Sequence, residues 1–295
     1  MFKFKRIYVE ITNQCNLNCP FCTPPHRGVL FMNKDLFVKI IEEIKPFTNE
    51  IALHVLGEPT LHPNLLFFLQ HCKSNNIKVL LTTNGTQFAN VNILPYIDTF
   101  SQINFSIHSL LHANITQKHL GTILNFCKSL SHLNYFPYIN FRFWDMTSSN
   151  ITNTYKDEIC DTLYTIIDSI NPSFDKSIIN NIDTHKKFNY IKLLEKFYIN
   201  FGTQFVWPNL SLNEISSTGF CYGLQSHIGI LCDGTVVPCC LDSMGTINLG
   251  NVNNESFSSI LQTPRVKKMR DGFSKKILCE NLCKRCNYIL RFNNK

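Results

Sequence analysis

Short hydrophobic runs alternate with amphipathic stretches through the first half of the chain. The hydrophobic runs, rich in β-branched and aromatic residues, are 6–12, 51–56, 77–82, 102–107 and 137–144. The amphipathic stretches with helical periodicity are 33–45, 63–74, 88–95 and 116–131. Alternation of this kind predicts repeated βα units and a parallel sheet.

The pattern changes in the second half. A helix is expected at 155–170, whereas 187–207 fits either a helix or a strand. The composition shifts near residue 216, and beyond it HIGILC and TVVPCC flank Asp233-Gly234, which predicts a hairpin with a two-residue type I′ turn. A helix interrupted by Pro264 is expected at 255–271. We therefore expect two domains, residues 1–215 and residues 216–295.

Composition narrows the class of protein. With 295 residues and 44% apolar composition the chain can bury a core without disulfides. The N-terminus MFKFKRIYVEIT lacks an apolar signal segment, and no apolar stretch approaches the roughly 20 residues that span a bilayer. We expect a soluble cytoplasmic protein without a membrane partner. In that compartment the thirteen cysteines are reduced, and clustered thiols indicate metal or redox chemistry.

The formal charge of +7 is concentrated at one end of the chain. Residues 265–295 contain ten basic and two acidic residues, a net charge of +8, so the remainder carries −1. This tail is either a docking surface for an acidic partner, such as RNA or a leader peptide, or a solvated face that offsets an anionic cluster. The sequence leaves both alternatives open.

Three cysteines follow the first predicted strand with the spacing Cys15-x3-Cys19-x2-Cys22. Three thiolates on one tight loop can bind three corners of a [4Fe–4S] cube, which leaves the fourth iron open to a cofactor or substrate. The alternatives are a zinc site, with a fourth ligand such as His26, or unrelated structural thiols.

With the aromatic Phe21 before its last cysteine, this motif resembles that of the radical S-adenosylmethionine (SAM) superfamily. The resemblance implies an α/β fold, a partial (βα)6 TIM-like barrel. It also implies that SAM chelates the open iron, with Phe21 at the cofactor site. Electron transfer from the reduced cluster then cleaves SAM to a 5′-deoxyadenosyl radical, which abstracts hydrogen from a substrate.

The resemblance extends to further SAM contacts. Gly57-Glu58-Pro59 stands where the family's GEP-type motif binds the SAM amino group. Asn84, Ser106 and Arg142 lie at or near the ends of predicted strands three, four and five, so the resemblance implies ribose and carboxylate contacts for them. Lys118 is an alternative to Arg142. Asn84 and Ser106 are also ordinary residues for a turn and a strand.

A second set of cysteines lies in the last 75 residues: Cys221, Cys239, Cys283 and Cys286. It resembles the C-terminal extension called SPASM or, in its shorter form, twitch. That resemblance implies a small α+β domain that binds one auxiliary [4Fe–4S] cluster. The alternative is a zinc ribbon, because paired CxxC motifs also form tetrahedral zinc sites.

Several other residues have open roles. Cys232, Cys240 and Cys279 do not match the spacing of a second auxiliary cluster, and Cys240 is a ligand, a hydrogen-atom donor or a buried small hydrophobe. Three cysteines on apolar helix faces are expected in the core: Cys72, Cys127 and Cys160. His108 and His112 are possible substrate-side residues, and Trp144 and Trp207 either line a cavity or pack in the core.

The resemblance implies an enzyme that oxidises, epimerises or cross-links a peptide or protein side chain. It also implies a low-potential electron donor of the flavodoxin or ferredoxin type, and it leaves the catalytic residues unknown. The alternatives are modification of RNA or of a small sugar-like molecule. A metal-stabilised RNA-binding module is the non-enzymatic alternative, but it gives the N-terminal triad no purpose.

The triad generates the first testable prediction. Protein reconstituted anaerobically and reduced with dithionite should cleave SAM to 5′-deoxyadenosine, because one iron is left open for SAM. Replacing Cys15, Cys19 and Cys22 together with Ala should abolish this product, measured by liquid chromatography. A triple variant that forms 5′-deoxyadenosine at the parent rate would show that the cluster is elsewhere.

Overall fold

The computed structural model describes residues 3–23, 27–144, 153–180 and 189–292. The strands are β1 (Arg6–Val9), β2 (Glu50–Ala52), β3 (Lys78–Thr83), β4 (Phe100–Ser106), β5 (Tyr138–Trp144), β6 (Asn189–Leu194), β7 (Phe197–Gly202), β8 (His227–Ile230), β9 (Thr235–Val237) and β10 (Gly250–Asn251). The α-helices are α1 (Lys34–Ile44), α2 (Leu65–Ser74), α3 (Ile107–His112), α4 (Thr116–Leu130), α5 (Asn153–Ile170), α6 (Ser177–Asn180), α7 (Phe257–Gln262), α8 (Pro264–Ser274) and α9 (Asn281–Lys284). Short 3₁₀ helices span Pro59–Leu61, Leu94–Thr99 and Asn287–Phe292.

The chain divides into two compact units. The first comprises Met1–Asn16, Phe21–Leu80 and Phe205–Lys295, and the second comprises Leu17–Pro20 and Leu81–Gln204. The domain boundary expected after residue 215 stays a prediction. In the described part of the chain, no helix is both long and apolar enough to cross a membrane.

The sheet of the first unit joins strands from both ends of the chain. β1 pairs in parallel with β2, where Ile7 lies opposite Ile51, and with β8, where Ile7 lies opposite Ile228. β2 in turn pairs in parallel with β3. The expected hairpin is present as antiparallel β8 and β9, and β10 adds to it. The first strand of that hairpin is thus hydrogen-bonded to the strand that precedes the triad.

Helix α1 has the limits and the buried face that its sequence predicts. The Asn33 side chain accepts a hydrogen bond from the Leu36 amide at 2.8 Å and so caps the first turn. Pro46 follows the C-cap Lys45, where a helix cannot continue. On the buried face, the Phe37 ring stacks on Phe68 of α2 with centroids 4.1 Å apart.

In the second unit β4, β5 and β7 run parallel, and β6 forms an antiparallel hairpin with β7. The stretch 187–207, whose sequence fits either a helix or a strand, therefore contains the strands β6 and β7. The reason is a period of two: Phe197, Ile199 and Phe201 are buried, with half-buried residues between them. Parallel strands joined through helices confirm the α/β class in each unit.

One face of the strands in the second unit carries a ladder of amide side chains. Asn200 Nδ2 donates to Asn140 Oδ1 at 2.6 Å, and Asn140 Nδ2 donates to Asn104 Oδ1 at 3.0 Å. Asn104 Nδ2 then donates to Thr82 Oγ1 at 3.1 Å. The neighbouring Phe105 points to the other face, where its ring meets Phe126 of α4. Helices therefore pack on the apolar face, and the polar ladder lies on the opposite one.

Two local expectations were wrong, and a third was confirmed. The turn after β8 is not type I′. That type needs a positive φ at both Asp233 and Gly234, and only Gly234 has one, +87°. The Gly234 amide donates to the Leu231 carbonyl at 2.8 Å, as in a type I turn followed by a glycine bulge. The expected helix at 88–95 is instead the 3₁₀ helix at Leu94–Thr99. The interruption expected at Pro264 is confirmed: 255–271 contains two helices, because Thr263 caps a new helix that has Pro264 in its first turn.

Candidate active site

The triad lies on the loop that leaves β1. Cys15 and Cys22 are exposed, and Cys19 is half-buried. Burial raises the pKa of the Cys19 thiol, while a hydrogen bond with the Ser109 hydroxyl opposes that shift. His26, the alternative zinc ligand, lies outside the described residues. The sequence-predicted ligands are thus accessible thiols on one continuous loop.

The two limbs of this loop are joined by a dense set of hydrogen bonds. Asn13 Nδ2 donates to the Gly28 carbonyl at 2.6 Å, and Asn13 Oδ1 accepts from the Leu30 amide at 2.8 Å. The Thr12 hydroxyl donates to the Leu30 carbonyl at 2.8 Å. Thr12 and Asn13 are almost completely buried. The stem is therefore fixed, although the cysteines at the tip are accessible.

An indole anchors the tip of the loop. Trp207 Nε1 donates a hydrogen bond to the Phe21 carbonyl at 3.1 Å. The Trp207 ring also packs against Phe205, with centroids 5.2 Å apart. Sequence analysis left Trp207 between a cavity wall and the core, and missed this contact. No motif in the sequence marks it, because the two residues are 186 positions apart.

The Gly57-Glu58-Pro59 segment packs against the same stem. A Cβ atom on Gly57 would lie 2.3 Å from the Thr12 carbonyl oxygen, and φ there is +77°. The Glu58 amide donates to the Gln14 carbonyl at 2.8 Å. The buried Glu58 carboxylate accepts from the Thr60 amide and hydroxyl at 3.1 and 2.6 Å, which caps the following 3₁₀ helix. Close backbone packing therefore explains the glycine even before a ligand is considered.

In the second unit the proposed SAM contacts lie at strand ends. The Asn84 side chain accepts from the Thr86 amide at 3.0 Å, so it organises the turn after β3. Ser106 ends β4 and stands opposite Arg142 of β5 in the parallel register. Lys118, the alternative to Arg142, is exposed on α4. Their roles toward SAM stay predictions.

Arg142 and His108 both contact the Trp144 ring. Its guanidinium carbon lies 5.5 Å from the centre of the Trp144 ring, and His108 stacks on Trp144 with centroids 4.2 Å apart. His108 Nδ1 is also 2.9 Å from the Arg142 carbonyl oxygen. Burial, and secondarily the Arg142 charge, lowers the pKa of His108 to about 3, so the imidazole is neutral at physiological pH. Trp144 therefore packs against both side chains.

The four C-terminal cysteines predicted as ligands lie within electrostatic range of one another. Burial raises the pKa of the Cys239 thiol well above its ordinary value. Neighbouring thiols raise it further: Cys240, Cys221, Cys283 and Cys286. The Gly223 amide donates to Cys221 Sγ at 3.3 Å, and a Cβ on Gly223 would crowd both that sulfur and Cys239. Cys283 lies on α9, three positions before Cys286.

Of the three other local cysteines, Cys240 lies within electrostatic range of the predicted ligands Cys221, Cys239 and Cys286. Cys240 is packed with Tyr8, whose hydroxyl donates to its sulfur, and burial raises the pKa of Cys240 to about 11. Cys232 Sγ lies 3.8 Å from Arg27 Nη1. Cys279 Sγ contacts the Lys268 carbonyl at 3.7 Å. The choice of Cys239 rather than Cys240 as the fourth ligand stays a prediction.

Two further sequence expectations concern metal ions and the core. In the described ranges, no three His, Cys, Asp or Glu side chains are grouped closely enough to hold a single metal ion. His108 and His112 lie four residues apart on α3. The His108 ring, however, stacks on Trp144, and its Nδ1 contacts the Arg142 carbonyl oxygen. Cys72 and Cys127 are buried, as expected, and Cys160 is half-buried.

The structure is thus an α/β protein with two sets of clustered cysteines. Residues 9–142 match the model of the radical SAM superfamily, and residues 221–287 match that of SPASM, an iron–sulfur cluster-binding domain. The chain therefore contains a radical SAM domain and a SPASM domain.

A curated relative resembles part of the chain. The tungsten-containing aldehyde ferredoxin oxidoreductase cofactor-modifying protein of Pyrococcus furiosus is 34% identical over 88 residues. That stretch covers 28% of this chain and 24% of the relative, so the match spans about a quarter of the relative's length.

Solved structures match most of the chain. Streptococcus suis SuiB bound to precursor peptide SuiA has a TM-score of 0.59 at 14% identity, over 97% of this chain and 71% of that chain. BtrN in complex with AdoMet and 2-DOIA has a TM-score of 0.54 at 17% identity, over 97% of this chain and 94% of that chain. At these identities the likeness shows the fold.

Family membership confirms the expected cofactors: a [4Fe–4S] cluster and SAM for the first domain, and an auxiliary iron–sulfur cluster for SPASM. The residues present fit these groups. The first loop offers three accessible thiols and the second set four partly buried ones, and thiolates are the ligands that iron–sulfur clusters use. Binding an iron–sulfur cluster requires thiolates, so it would release the protons that burial holds on the second set. The number of auxiliary clusters stays a prediction.

Gly57 generates a prediction about stability. Gly57→Ala should lower the free energy of unfolding by about 1–3 kcal/mol, because its Cβ would strike the Thr12 carbonyl at a positive φ. Gly121→Ala is the matched control. Gly121 lies within α4 with open space around it, so the change should raise stability by about 0.5–1 kcal/mol. Urea unfolding followed by circular dichroism measures both, and equal effects would contradict the packing argument.

The C-terminal cysteines generate a prediction about iron content. The reconstituted parent should contain about eight irons, and the triad variant about four. Cys283→Ala with Cys286→Ala should lose the auxiliary cluster and impair substrate turnover while leaving SAM cleavage largely intact.

Cys240→Ala is the control for that measurement and should change the iron content little. A parent with about four irons and one zinc would establish the zinc ribbon. About twelve irons would require ligands among Cys232, Cys240 and Cys279. Loss of iron in the Cys240 variant would show that Cys239 is the wrong neighbour.

Proposed function

We propose that this chain is a radical SAM enzyme that modifies a peptide or protein side chain by oxidation, epimerisation or cross-linking. The observation that carries the first part is the triad loop. Its exposed thiols stand on a buried, hydrogen-bonded stem, and Gly57 packs directly against that stem. The arrangement suits a cluster that must accept an external cofactor at an open iron.

The chain's own residues have distinct tasks in this proposal. Cys15, Cys19 and Cys22 hold the first cluster, with Phe21 beside it. Together the cluster and SAM supply a 5′-deoxyadenosyl radical when bound. The remaining assigned residues bind and orient SAM: Gly57, Glu58, Pro59, Asn84, Ser106 and Arg142. Cys221, Cys239, Cys283 and Cys286 hold an auxiliary cluster, an electron acceptor for the product radical.

The peptide substrate is supported by likeness to SuiB, whose structure contains a precursor peptide. BtrN gives a specific reason to keep a small sugar-like molecule as the second candidate. Its complex contains 2-DOIA, and this chain covers 94% of its length. The two similarities have comparable TM-scores, so the substrate class has to be measured.

An RNA substrate depends on the basic tail, and several of its cations have partners within the chain. Arg265 forms two hydrogen bonds with the Glu280 carboxylate, each 2.8 Å long. Arg285 donates to the Leu212 carbonyl at 2.8 Å. Arg291 lies over the Tyr288 ring. Only the Glu280 contact offsets a charge, whereas Arg285 and Arg291 keep theirs, and lysines such as Lys267 are exposed. The tail therefore keeps positive charge for phosphates, and RNA stays an alternative to peptide.

Radical SAM enzymes need a reductant. We propose a low-potential flavodoxin or ferredoxin for this chain, and a cytoplasmic location, where such carriers and reduced thiols occur together.

Anaerobic incubation with SAM and dithionite tests the substrate class. Peptides, RNA and small polyols from one extract are supplied separately in D₂O, and each pool is analysed by mass spectrometry. The peptide pool should gain a SAM-dependent change: loss of two hydrogens for oxidation or cross-linking, or one deuterium for epimerisation.

The control is the triad variant in the same pools, which should yield no change. A mass change confined to the polyol pool would replace the proposal with the sugar-like alternative. A change confined to RNA would establish RNA modification, and its dependence on salt would then report the phosphate contacts.

A further inference from the structure

The buried carboxylate of Glu10 joins three segments that are distant in sequence. Glu10 follows β1 directly and is 0% exposed. Its Oε1 accepts hydrogen bonds from Arg27 Nη2 at 2.5 Å and from the Cys232 amide at 3.3 Å. Its Oε2 accepts from the Leu56 amide at 3.0 Å. A buried carboxylate is stable only with such donors, so all three segments are held to one point.

Arg27 extends the same network. Its Nε donates to the Ser243 carbonyl at 2.8 Å, while Nη1 lies 3.8 Å from Cys232 Sγ. The side chain is 12% exposed and forms an ion pair with Glu10. The planar guanidinium presents several N–H donors in a fixed fork, so it can bond two acceptors at a defined angle. A lysine has no such geometry.

Each bonded segment belongs to a different part of the proposed site. Arg27 stands five residues after Cys22 and immediately before Gly28, which is bonded to Asn13 in the loop stem. Leu56 immediately precedes Gly57. Cys232 and Ser243 bracket Cys239. Moving any one of these segments therefore changes the hydrogen bonds available to the other two.

We propose that Glu10 and Arg27 are positioning residues that couple the C-terminal segment around Cys239 to the triad loop and to the Gly57-Glu58-Pro59 segment. The inference rests on the proposed function, which assigns the loop to the first cluster and the segment to SAM. The coupling is reciprocal, as any equilibrium coupling must be. A disturbance at Cys232 alters the alignment of the triad loop, and a disturbance of the loop alters the C-terminal segment.

Two roles of the Glu10–Arg27 ion pair, local stabilisation and coupling of the three segments, predict different effects of removing Arg27. If Arg27 only stabilises its surroundings, removing it loosens residues 27–32 and nothing beyond them. If the pair couples the segments, removing Arg27 also frees the amides of Leu56 and Cys232, which bond Glu10 and not Arg27 through their N–H groups. Those two amides distinguish the alternatives.

Hydrogen exchange of the metal-free protein, followed by mass spectrometry, makes the comparison. The variants are Arg27→Met, Arg27→Lys and Glu10→Gln. Arg27→Met should accelerate exchange in peptides covering 54–58 and 230–234 by at least about 5-fold, the lower end of typical coupling between sites. Glu10→Gln should do the same. Arg27→Lys keeps the charge opposite Glu10 but replaces the rigid fork by a single nitrogen, so its effect should be intermediate.

Glu50→Gln is the matched control. It breaks the Arg6 ion pair of neighbouring strands β1 and β2, with oxygen and nitrogen 2.6 Å apart, without touching the Glu10 network. Exchange at 54–58 and 230–234 should stay at the parent rate. If Arg27→Met fails to fold by circular dichroism, Arg27→Lys and Glu10→Gln provide the same comparison.

The kinetics of SAM cleavage give a second, independent measurement. Misalignment of a binding segment should raise the KM for SAM by about 5-fold or more in Arg27→Met. The kcat at saturating SAM should change less, because the variant keeps all three cluster thiols. The folded Arg27→Lys variant should show a smaller rise in KM.

If Arg27→Met accelerates exchange only in residues 27–32, or leaves the KM for SAM unchanged, the inference is overturned. Failure of the proposed function looks different. In that case the parent itself forms no 5′-deoxyadenosine, while the exchange of metal-free protein still reports whether the segments are coupled.

Discussion

The triad loop depends on the buried polar groups that close its stem. A short stretch with exposed thiols cannot bury enough apolar surface to hold one shape against its conformational entropy. Thr12 and Asn13 fix it by bonding the returning limb, and Gly57 leaves room for the backbone that carries them. The first cluster site in our proposal is therefore a property of the stem and the strand ends as much as of its cysteines.

The C-terminal set obeys a different constraint. Its thiols are partly buried near one another, and both burial and mutual repulsion disfavour their ionised forms. A bound cluster removes that conflict, because it compensates thiolate charge where solvent cannot. Cys240 is set apart by its contact with the Tyr8 hydroxyl. The same chain thus offers an accessible set of three cysteines and an enclosed set of four.

In the second unit, polar side chains organise one another before any ligand is considered. The amide ladder through Asn104 and Asn140 gives their buried polar atoms hydrogen-bond partners. The aromatic stack with His108 orients Arg142 through Trp144. Such pre-organisation lowers the entropy that a side chain loses when it binds a charged group. It is consistent with the proposed role of Arg142 toward SAM.

The sequence by itself determined the α/β class, most helix and strand positions, both sets of cysteines and, through them, the family. These features are encoded locally, because periodicity, caps and cysteine spacing need only a few neighbouring residues. The β6 and β7 strands were ambiguous, since local propensity does not say which face another element covers. Only tertiary structure brought Trp207 to Phe21, Arg27 to Glu10 and Ser243, and the Cys232 amide to Glu10. Those contacts join residues up to 222 positions apart, and their geometry follows from strand pairing that no local pattern specifies.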